Sequence, residues 1–322
     1  MTNLESRSGE NQTFSDHFIL VGFSYLNKLQ ILLFLVFSLM YLFTVVGNLF
    51  LIFLIKMNSS LHTPMYFFVV NVSFSEVCYT NSVFPQILIH LLVEEKTISI
   101  PGCAAQMYIY FIMGLTSCCL LAAMAYDRYV AICHPLHYTT ILSGRTCVQL
   151  AGASWILGIV VAVAQTTWLF SQPFCGSNHV NHYYCDAQTV EKMLCNYSWK
   201  NVVMSLSRLV LFVLGPFLLI ILSYVRIIST ILQLSSVEGR NKAFSTCSSH
   251  LAVVTLMYGT GLLGNLIHTP SSTSDNSHLI SLPYTVLTPM LNPIVYALRN
   301  RDMHGAFRNT IGKVIFSHKR RC

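Results

Sequence analysis

The sequence predicts an all-α membrane protein in which seven transmembrane helices form a bundle, with the N-terminus outside and the C-terminus in the cytoplasm. Only 10% of the 322 residues are charged and 54% are hydrophobic, whereas a soluble domain carries about 25% charged residues. Apolar blocks long enough to cross a bilayer recur along the chain. Basic residues are concentrated in alternate connections between these blocks, as expected for cytoplasmic loops.

Seven blocks satisfy the requirement of about 20 mostly apolar residues for a membrane span. The second contains one acid, Glu76, and the fifth contains one base, Arg208. Three prolines interrupt the last block, which membrane helices tolerate because neighbours satisfy the freed backbone groups. We therefore divide the chain into an outer tail (1–30), a seven-helix domain (31–298) and a cytoplasmic tail (299–322). The predicted spans are 31–55, 66–93, 104–126, 148–170, 202–225, 243–267 and 279–298.

The charge asymmetry fixes the predicted orientation. With the N-terminus outside, most of the 19 Lys and Arg residues lie on the cytoplasmic side. The same orientation places four cysteines outside, where an oxidising compartment permits disulfides; they allow three pairings. It also exposes two N-x-S/T sequences to glycosylation, first Asn11 and second Asn196. The outer cysteines are Cys103, Cys175, Cys185 and Cys195.

The third span ends on an adjacent acid and base in the stretch MAYDRYVAICHPLHY, from Met124 to Tyr138. Arg128 keeps its charge at any physiological pH and can pair with Asp127 at the membrane boundary. One interpretation is a simple interfacial anchor, since basic residues often mark membrane edges. The other is an arginine that is released to face a protein docking from the cytoplasm.

This stretch resembles the third-helix signature of the odorant receptors, a branch of the rhodopsin-like G-protein-coupled receptors. Other motifs follow in the family's order: GN at Gly47 and Asn48, LHTPMYFF from Leu61, KAFSTCSSHL from Lys242 and PMLNPIVYALRN from Pro289. The resemblance implies a plasma-membrane receptor, expected in olfactory sensory cilia. Such a receptor binds small, mostly apolar odorants and activates a stimulatory, olfactory-type G protein that raises cyclic AMP. It implies neither an enzyme nor a nucleic-acid partner.

The resemblance also implies an activation switch at the cytoplasmic end. Arg128 would be restrained at rest and would contact the G protein once the sixth helix moves outward. A ligand shifts such a two-state switch only through different affinities for its two states. The implied switch residues are Asp127, Arg128, Tyr129, Tyr224, Asn292, Pro293 and Tyr296.

Glu76 stands alone in the second span, and ionisable residues inside a membrane are costly and usually functional. It is either a water-satisfied structural acid or part of a working polar network. The resemblance makes Asn48 and Asn292 its partners. No cofactor is expected, although a sodium ion near Glu76 remains an open alternative.

The resemblance selects the disulfides Cys103–Cys185 and Cys175–Cys195. HYYCD, from His182 to Asp186, has residue types that bind metals, and a metal role has been proposed for this element in the family. A cysteine held in a disulfide offers no thiolate, however, so we expect no metal site here.

A ligand is expected in the outer half of the bundle, in an apolar concavity with a few polar groups. Ordinary helix packing is the alternative for each candidate residue. Arg208 either contacts ligand acceptors such as carbonyls or carboxylates, or pairs with Glu191 or Asp186, or extends to the surface. Most aminergic receptors of the wider superfamily carry an acid at the position of Tyr110, so the resemblance argues against a simple amine ligand. The candidates are Tyr110, Phe111, Gly114, Leu115, Ser205, Arg208, Phe212, Tyr258, Gly261, Leu262, Asn265, Leu282 and Thr285.

The sequence of the cytoplasmic tail predicts a short amphipathic eighth helix on the lipid surface, with Met303, Phe307, Ile311 and Val314 at helical spacing.

Competing functions are a metabolite sensor of the same fold and, in a different class, a transporter or channel. The latter predicts internal repeats and several pore charges, which the sequence lacks. A membrane enzyme would need a nucleophile–base set, and His90 and His250 lie near span ends without one.

Overall fold

The computed structural model describes residues 16–23, 28–233, 235–267 and 281–299, and residues 303, 305–308 and 310 of the tail. The predicted glycosylation site Asn11 lies outside these residues, as does the tail beyond residue 310. The side chains of Phe212, Gly261, Leu262 and Asn265 are likewise outside the described set.

Long helices dominate the described chain. Serine caps mark the beginnings of two long helices. Ser99 Oγ accepts from Gly102 N–H at the start of the helix from Ile100, which also has a proline in its first turn, and Ser143 Oγ accepts from Thr146 N–H at the start of the helix from Gly144. The described helices are α1 Gln30–Met57, α2 Pro64–Leu92, α3 Ile100–Cys133, α4 Tyr138–Ile141, α5 Gly144–Phe170, α6 Ala187–Glu191, α7 Trp199–Arg208, α8 Gly215–Gln233, α9 Val237–Ile267 and α10 Thr288–Arg299.

The described part of the bundle contains two π-helical segments. Leu209–Leu214 joins α7 to α8 as one continuous fifth helix, and Pro283–Leu287 precedes α10. Short 3₁₀ turns, Ser59–Leu61 and Pro135–His137, follow α1 and α3 at the opposite end from the disulfides. π-helical turns change which side chains share a helix face, because their hydrogen bonds span five residues rather than four.

Four described stretches are long and apolar enough to cross a membrane: Gln30–Met57, Ile100–Cys133, Gly144–Phe170 and Trp199–Gln233. α2 is more polar because it buries Ser73, Ser75, Glu76 and Thr80 against other helices. The bundle exposes large apolar side chains along its flanks, such as Ile31 at 74% and Leu39 at 68%. This pattern suits hydrocarbon rather than water.

Helix α3 occupies the centre of the bundle and packs against α2, α5 and α8. Leu120, Leu121 and Met124 are fully buried at its inner half. α10 closes the bundle by packing against α1 and α9. The described tail residues are helical, with Met303 buried against the bundle and the Phe307 ring 6.1 Å from that of Phe50.

A small sheet covers one end of the bundle, which we call the outer end because it also carries both disulfides. Strand β1, His17–Leu20, lies between β2, Thr97–Ser99, and β3, His179–Val180. It runs antiparallel to β2 and parallel to β3. Gly22 has a φ of +44° immediately after β1, and this left-handed turn favours glycine. The region predicted as a tail thus contributes a strand.

Gly158 permits the close approach of α5 to α3. A Cβ at this position would collide with Thr116 Oγ1 and lie 3.2 Å from the Ile112 carbonyl oxygen. Small residues let membrane helices approach closely and gain van der Waals contact. The α3–α5 contact therefore depends on glycine at this point.

We expect Gly158→Ala to lower the free energy of unfolding by about 1–3 kcal/mol, because it overpacks this crossing. Thermal unfolding of the purified receptor measures the change. Gly152→Ala in the same helix is the matched control, since nothing lies within 4 Å of its added Cβ. Equal melting temperatures for the two variants would contradict the close-approach argument.

Candidate ligand cavity and inner-end switch

A cavity of about 880 Å³ opens in the outer half of the bundle. Its volume lies within the range of small-molecule sites. Residues from α2, α3, the loop before α7, the fifth helix, α9 and α10 surround it. The predicted residues on its lining are Tyr110, Phe111, Gly114, Leu115, Ser205, Arg208 and Tyr258.

Two predicted pocket residues lie elsewhere. The Thr285 hydroxyl is fully buried and donates to the Ser281 carbonyl oxygen at 2.8 Å. Leu282 packs beside Phe84 and Val286 in a separate apolar cluster. Both residues lie at the π-helical segment, so the regular helical spacing assumed from the sequence does not hold there. Lining residues that sequence reasoning did not select include Glu76, Tyr79, Cys118, Tyr184, Lys192, Met257, Thr288 and Pro289.

Arg208 pairs with a loop acid, which is one of the three arrangements that the sequence leaves open, and it also lines the cavity. Its Nη2 donates to Glu191 Oε1 at 2.9 Å and to Ser205 Oγ at 3.2 Å. The Ser205 hydroxyl donates to Glu191 Oε2 at 3.0 Å. The guanidinium carbon lies 5.6 Å from the centre of the Phe111 ring, within cation–π range.

The loop that supplies Glu191 is ordered by capping and disulfides. Asp186 caps helix α6 by accepting from Thr189 N–H at 3.0 Å and from Thr189 Oγ1 at 3.1 Å. Cys103–Cys185 ties the loop to the start of α3, and Cys175–Cys195 closes the loop on itself. These are the pairings that the family resemblance implied. Glu191 is thereby held above the cavity instead of moving in solvent.

His182 of the HYYCD stretch is occupied by hydrogen bonds. Its Nδ1 accepts from Tyr184 N–H at 3.4 Å, and its Nε2 lies 2.9 Å from Ser281 Oγ. Ser281 donates onward to Tyr183 Oη at 2.9 Å. Burial raises the pKa of Tyr183, so its phenol stays neutral. Among the described residues, no group of three His, Cys, Asp or Glu side chains is arranged for a metal.

Glu76 reaches one of its two predicted partners. Asn292 Nδ2 donates to Glu76 Oε1 at 3.1 Å, joining α2 to α10. Asn48 Nδ2 instead donates to the carbonyl oxygens of Thr44, at 2.9 Å, and Pro289, at 3.2 Å. Asn48 therefore joins α1 to α10 through the backbone rather than through the acid. Glu76 also forms the floor of the cavity.

Arg128 is held at the inner end, opposite the sheet. Its Nη2 lies 3.4 Å from Asp127 Oδ2, and the Asp127 side chain is fully buried. Tyr138 of α4 donates to Asp127 Oδ1 at 2.8 Å. Burial and the Asp127 carboxylate raise the pKa of Tyr138, which keeps this donor protonated. The arrangement suits a restrained arginine better than a free interfacial anchor.

Tyr224 reaches a partner that sequence reasoning missed. Its hydroxyl lies 2.9 Å from Nδ1 of His250, whose Nε2 lies 3.0 Å from the Leu121 carbonyl oxygen. A carbonyl only accepts, so Nε2 carries the proton and Tyr224 donates to Nδ1. The fully buried imidazole thus links α8, α9 and α3. His250 is the ninth residue of KAFSTCSSHL, and the motif itself indicates no partner for it.

The remaining predicted switch residues lie around this inner half. The Tyr129 hydroxyl lies 3.0 Å from His134 Nε2. Tyr296 is buried, with its hydroxyl 3.9 Å from the Met124 sulfur. Pro293 packs against α1, where a Cβ on Gly47 would lie 3.2 Å from its Cγ. Five of the seven predicted switch residues therefore lie in the inner half, whereas Asn292 and Pro293 lie nearer the middle of the bundle, next to Glu76 and Gly47.

A sequence profile described as "Olfactory receptor" matches residues 37–314. The chain belongs to the olfactory receptor family. Human olfactory receptor 10A4 is 49% identical over 311 residues, covering 96% of this chain and 99% of that relative. Human olfactory receptor 10A5 is 47% identical over 306 residues, covering 95% and 96% respectively.

The architecture of this olfactory receptor also matches a solved seven-helix protein. The crystal structure of squid rhodopsin superimposes with a TM-score of 0.73 over 90% of this chain and 87% of the other, at 16% identity. At that identity the likeness establishes the fold alone. The predicted rhodopsin-like fold, odorant-receptor class and multi-pass membrane character are confirmed, and the family is not enzymatic.

We expect loss of the Cys175–Cys195 disulfide in Cys175→Ser/Cys195→Ser to lower the free energy of unfolding by about 3 kcal/mol. The bond closes a loop with a sequence separation of 20, and cross-linking such a loop restricts the unfolded chain by roughly that amount. Thermal unfolding and surface expression measure the effect. Cys78→Ser removes a free thiol and is the control. A double variant with the same melting temperature as the wild type would contradict the expectation.

Proposed function

We propose that this olfactory receptor binds small, mostly apolar odorants in the outer cavity and activates a stimulatory, olfactory-type G protein that raises cyclic AMP. The observation that carries the proposal is the cavity itself, about 880 Å³ in volume and lined by side chains from α3, α9 and α10. A site of this size whose surface is mostly apolar suits a small, mostly apolar molecule.

The inner end supports G-protein coupling. Arg128 is paired with Asp127, and Tyr138 anchors that acid, so the guanidinium is restrained while the helices are closed. The His250 bridge holds α9 against α3 and α8 in the same closed arrangement. Outward movement of α9 breaks this bridge and exposes the region around Arg128 to a cytoplasmic partner.

The plasma membrane is the proposed location, with the N-terminus outside. Both disulfides and strand β1 share the outer end, and disulfides persist in oxidising compartments. Asn196 is exposed at this end, which keeps it as a glycosylation candidate beside Asn11. Concentration in olfactory cilia follows from the family and belongs to the same proposal.

A sodium ion at Glu76 forms part of this proposal. The Glu76 carboxylate and the side-chain oxygens of Asn48 and Asn292 are hard oxygen donors. Within the described residues, the Asn48 and Asn292 Oδ1 atoms are buried without a hydrogen-bond partner. These oxygens would hold the cation, which would supply a positive charge opposite Glu76.

Replacing choline chloride with sodium chloride at constant ionic strength is expected to raise the melting temperature of the wild-type receptor by a few degrees. A bound ligand stabilises the folded state by mass action. Glu76→Gln keeps an acceptor oxygen for the Asn292 amide but removes the negative charge, so the melting temperature of this variant should not respond to sodium. Equal responses from both proteins would refute the sodium site while leaving the receptor proposal intact.

We expect Arg128→Ala to abolish the agonist-dependent rise in cyclic AMP at matched surface expression. The test uses cells that express a stimulatory G protein and receive a broad panel of volatile compounds. Arg145→Ala is the control, since it removes an exposed inner-end arginine outside the switch. A full response from Arg128→Ala would contradict its role in coupling. No response from a wild-type chain shown at the surface would contradict the odorant-driven, stimulatory pathway.

A further inference from the structure

We propose that Glu191 sets the charge selectivity of the cavity by neutralising Arg208, so that the receptor accepts neutral molecules bearing a hydrogen-bonding oxygen and rejects carboxylates. This inference rests on the proposed function, because it specifies the ligand class of the same site. It identifies Glu191, on the loop helix α6, as a specificity-determining residue.

The ion pair lies inside the cavity and not on its outer surface. Both Arg208 and Glu191 line the cavity, and their side chains are only 16% and 15% exposed. Both oxygens of Glu191 are used, Oε1 by Arg208 at 2.9 Å and Oε2 by Ser205 at 3.0 Å. A pair that is largely shielded from water is weakly screened, so its charges cancel effectively for a ligand beside it.

The other charges at the outer part of the cavity do not change this balance. Asp186 is engaged by the backbone and hydroxyl of Thr189 as the cap of α6. Lys192 is exposed to water, where an ion pair contributes little. Beside Arg208, a ligand carboxylate would therefore lose its hydration without gaining an uncompensated buried cation. The other described lining cation, Lys192, is screened by water.

A neutral oxygen fits the same place well. Both described hydrogen bonds of Arg208 leave from Nη2, whereas a guanidinium has five N–H donors. Nη1 and Nε can therefore donate to an alcohol, aldehyde or ketone oxygen while Glu191 remains paired. Phe111, Leu115 and Met257 line the adjoining apolar space for the hydrocarbon part.

The position of Glu191 is fixed before any ligand arrives. It ends helix α6, whose cap is Asp186, and the Cys175–Cys195 disulfide closes the loop around it. Val190, the preceding residue, is fully buried. Moving this preorganised acid away from Arg208 would cost free energy, because the loop around it would have to rearrange. The pair therefore stays neutral whether or not a ligand is bound.

The test is Glu191→Gln, which keeps an acceptor oxygen for Arg208 and removes the negative charge. Dose–response curves are recorded for straight-chain alcohols, aldehydes, carboxylates and amines of equal length. We expect the wild type to respond to the neutral compounds. In the variant, the potency of the carboxylates should increase about tenfold or more, because Arg208 now offers a net charge to a shielded carboxylate. The potency of the alcohols should change less than about threefold.

Two controls isolate the charge. Glu95→Gln removes an exposed acid near the end of α2, away from the cavity, and should leave all potencies unchanged. Adding Arg208→Gln to Glu191→Gln should cancel the gain for carboxylates. Wild-type responses to carboxylates as strong as those to alcohols would overturn the proposal. So would a Glu191→Gln variant that keeps its alcohol response without gaining a carboxylate response.

Direct binding separates this inference from the proposed function. The melting temperature of purified receptor is measured with and without the carboxylate and the alcohol of the same chain length. We expect the carboxylate to stabilise Glu191→Gln and not the wild type, even if neither protein signals through cyclic AMP. Equal stabilisation of both proteins, or of neither, refutes the role of Glu191. A signalling failure accompanied by the expected binding pattern refutes only the proposed pathway.

Discussion

Hydrocarbon offers no hydrogen bonds, and this constraint determines where polar side chains occur in the receptor. Polar groups inside the bundle must find partners on other helices. Glu76 meets Asn292, and His250 meets Tyr224 and the Leu121 backbone. Gln165 of α5 donates to the Met204 carbonyl oxygen at 3.0 Å. Each of these bonds fixes the position of one helix relative to another. The few polar residues thus define how the helices pack, which apolar contacts alone specify less well.

At the outer end, disulfide bonds add to the hydrogen bonds that hold the chain in place. The two disulfides restrict the conformations that the outer loop can adopt. β1 then adds Phe18 and Leu20 to the core beneath the sheet. The result is a rigid cover from which Glu191 reaches Arg208. A charged residue in the outer half of the fifth helix is tolerable because this cover supplies its counter-charge.

Much of this architecture can be read from the sequence, and the remainder has identifiable physical reasons. Hydropathy and charge asymmetry place the helices because the bilayer imposes length and sidedness. The family resemblance, carried along a regular helix from Arg128, also places Tyr110 and Phe111 on the cavity wall. It fails at Leu282 and Thr285, where a π-helical segment alters the register.

Contacts between distant segments are harder to predict than helices. The sequence alone leaves Arg208 to contact a ligand, one of two acids or the surface, because the choice depends on how the loop folds over the bundle. The structure selects Glu191, 17 residues earlier in the chain. The role of His250 was not recognised, since its partners lie on two other helices and one of them is a backbone carbonyl. Local sequence carries no signal for such a partner.

In the proposed mechanism, ligand selection and activation use different parts of the cavity lining. Arg208 and Glu191 lie on the fifth helix and the loop, whereas Tyr258 lines the cavity from α9 and Thr288 and Pro289 line it from α10. Tyr258 and His250 are two turns apart on α9, about 12 Å along its axis. A ligand biases the switch only through contacts that differ between its two states. Because the His250 bridge lies on α9, contacts with Tyr258 bear directly on the helix that must move. The Arg208–Glu191 pair, by contrast, determines which ligands enter.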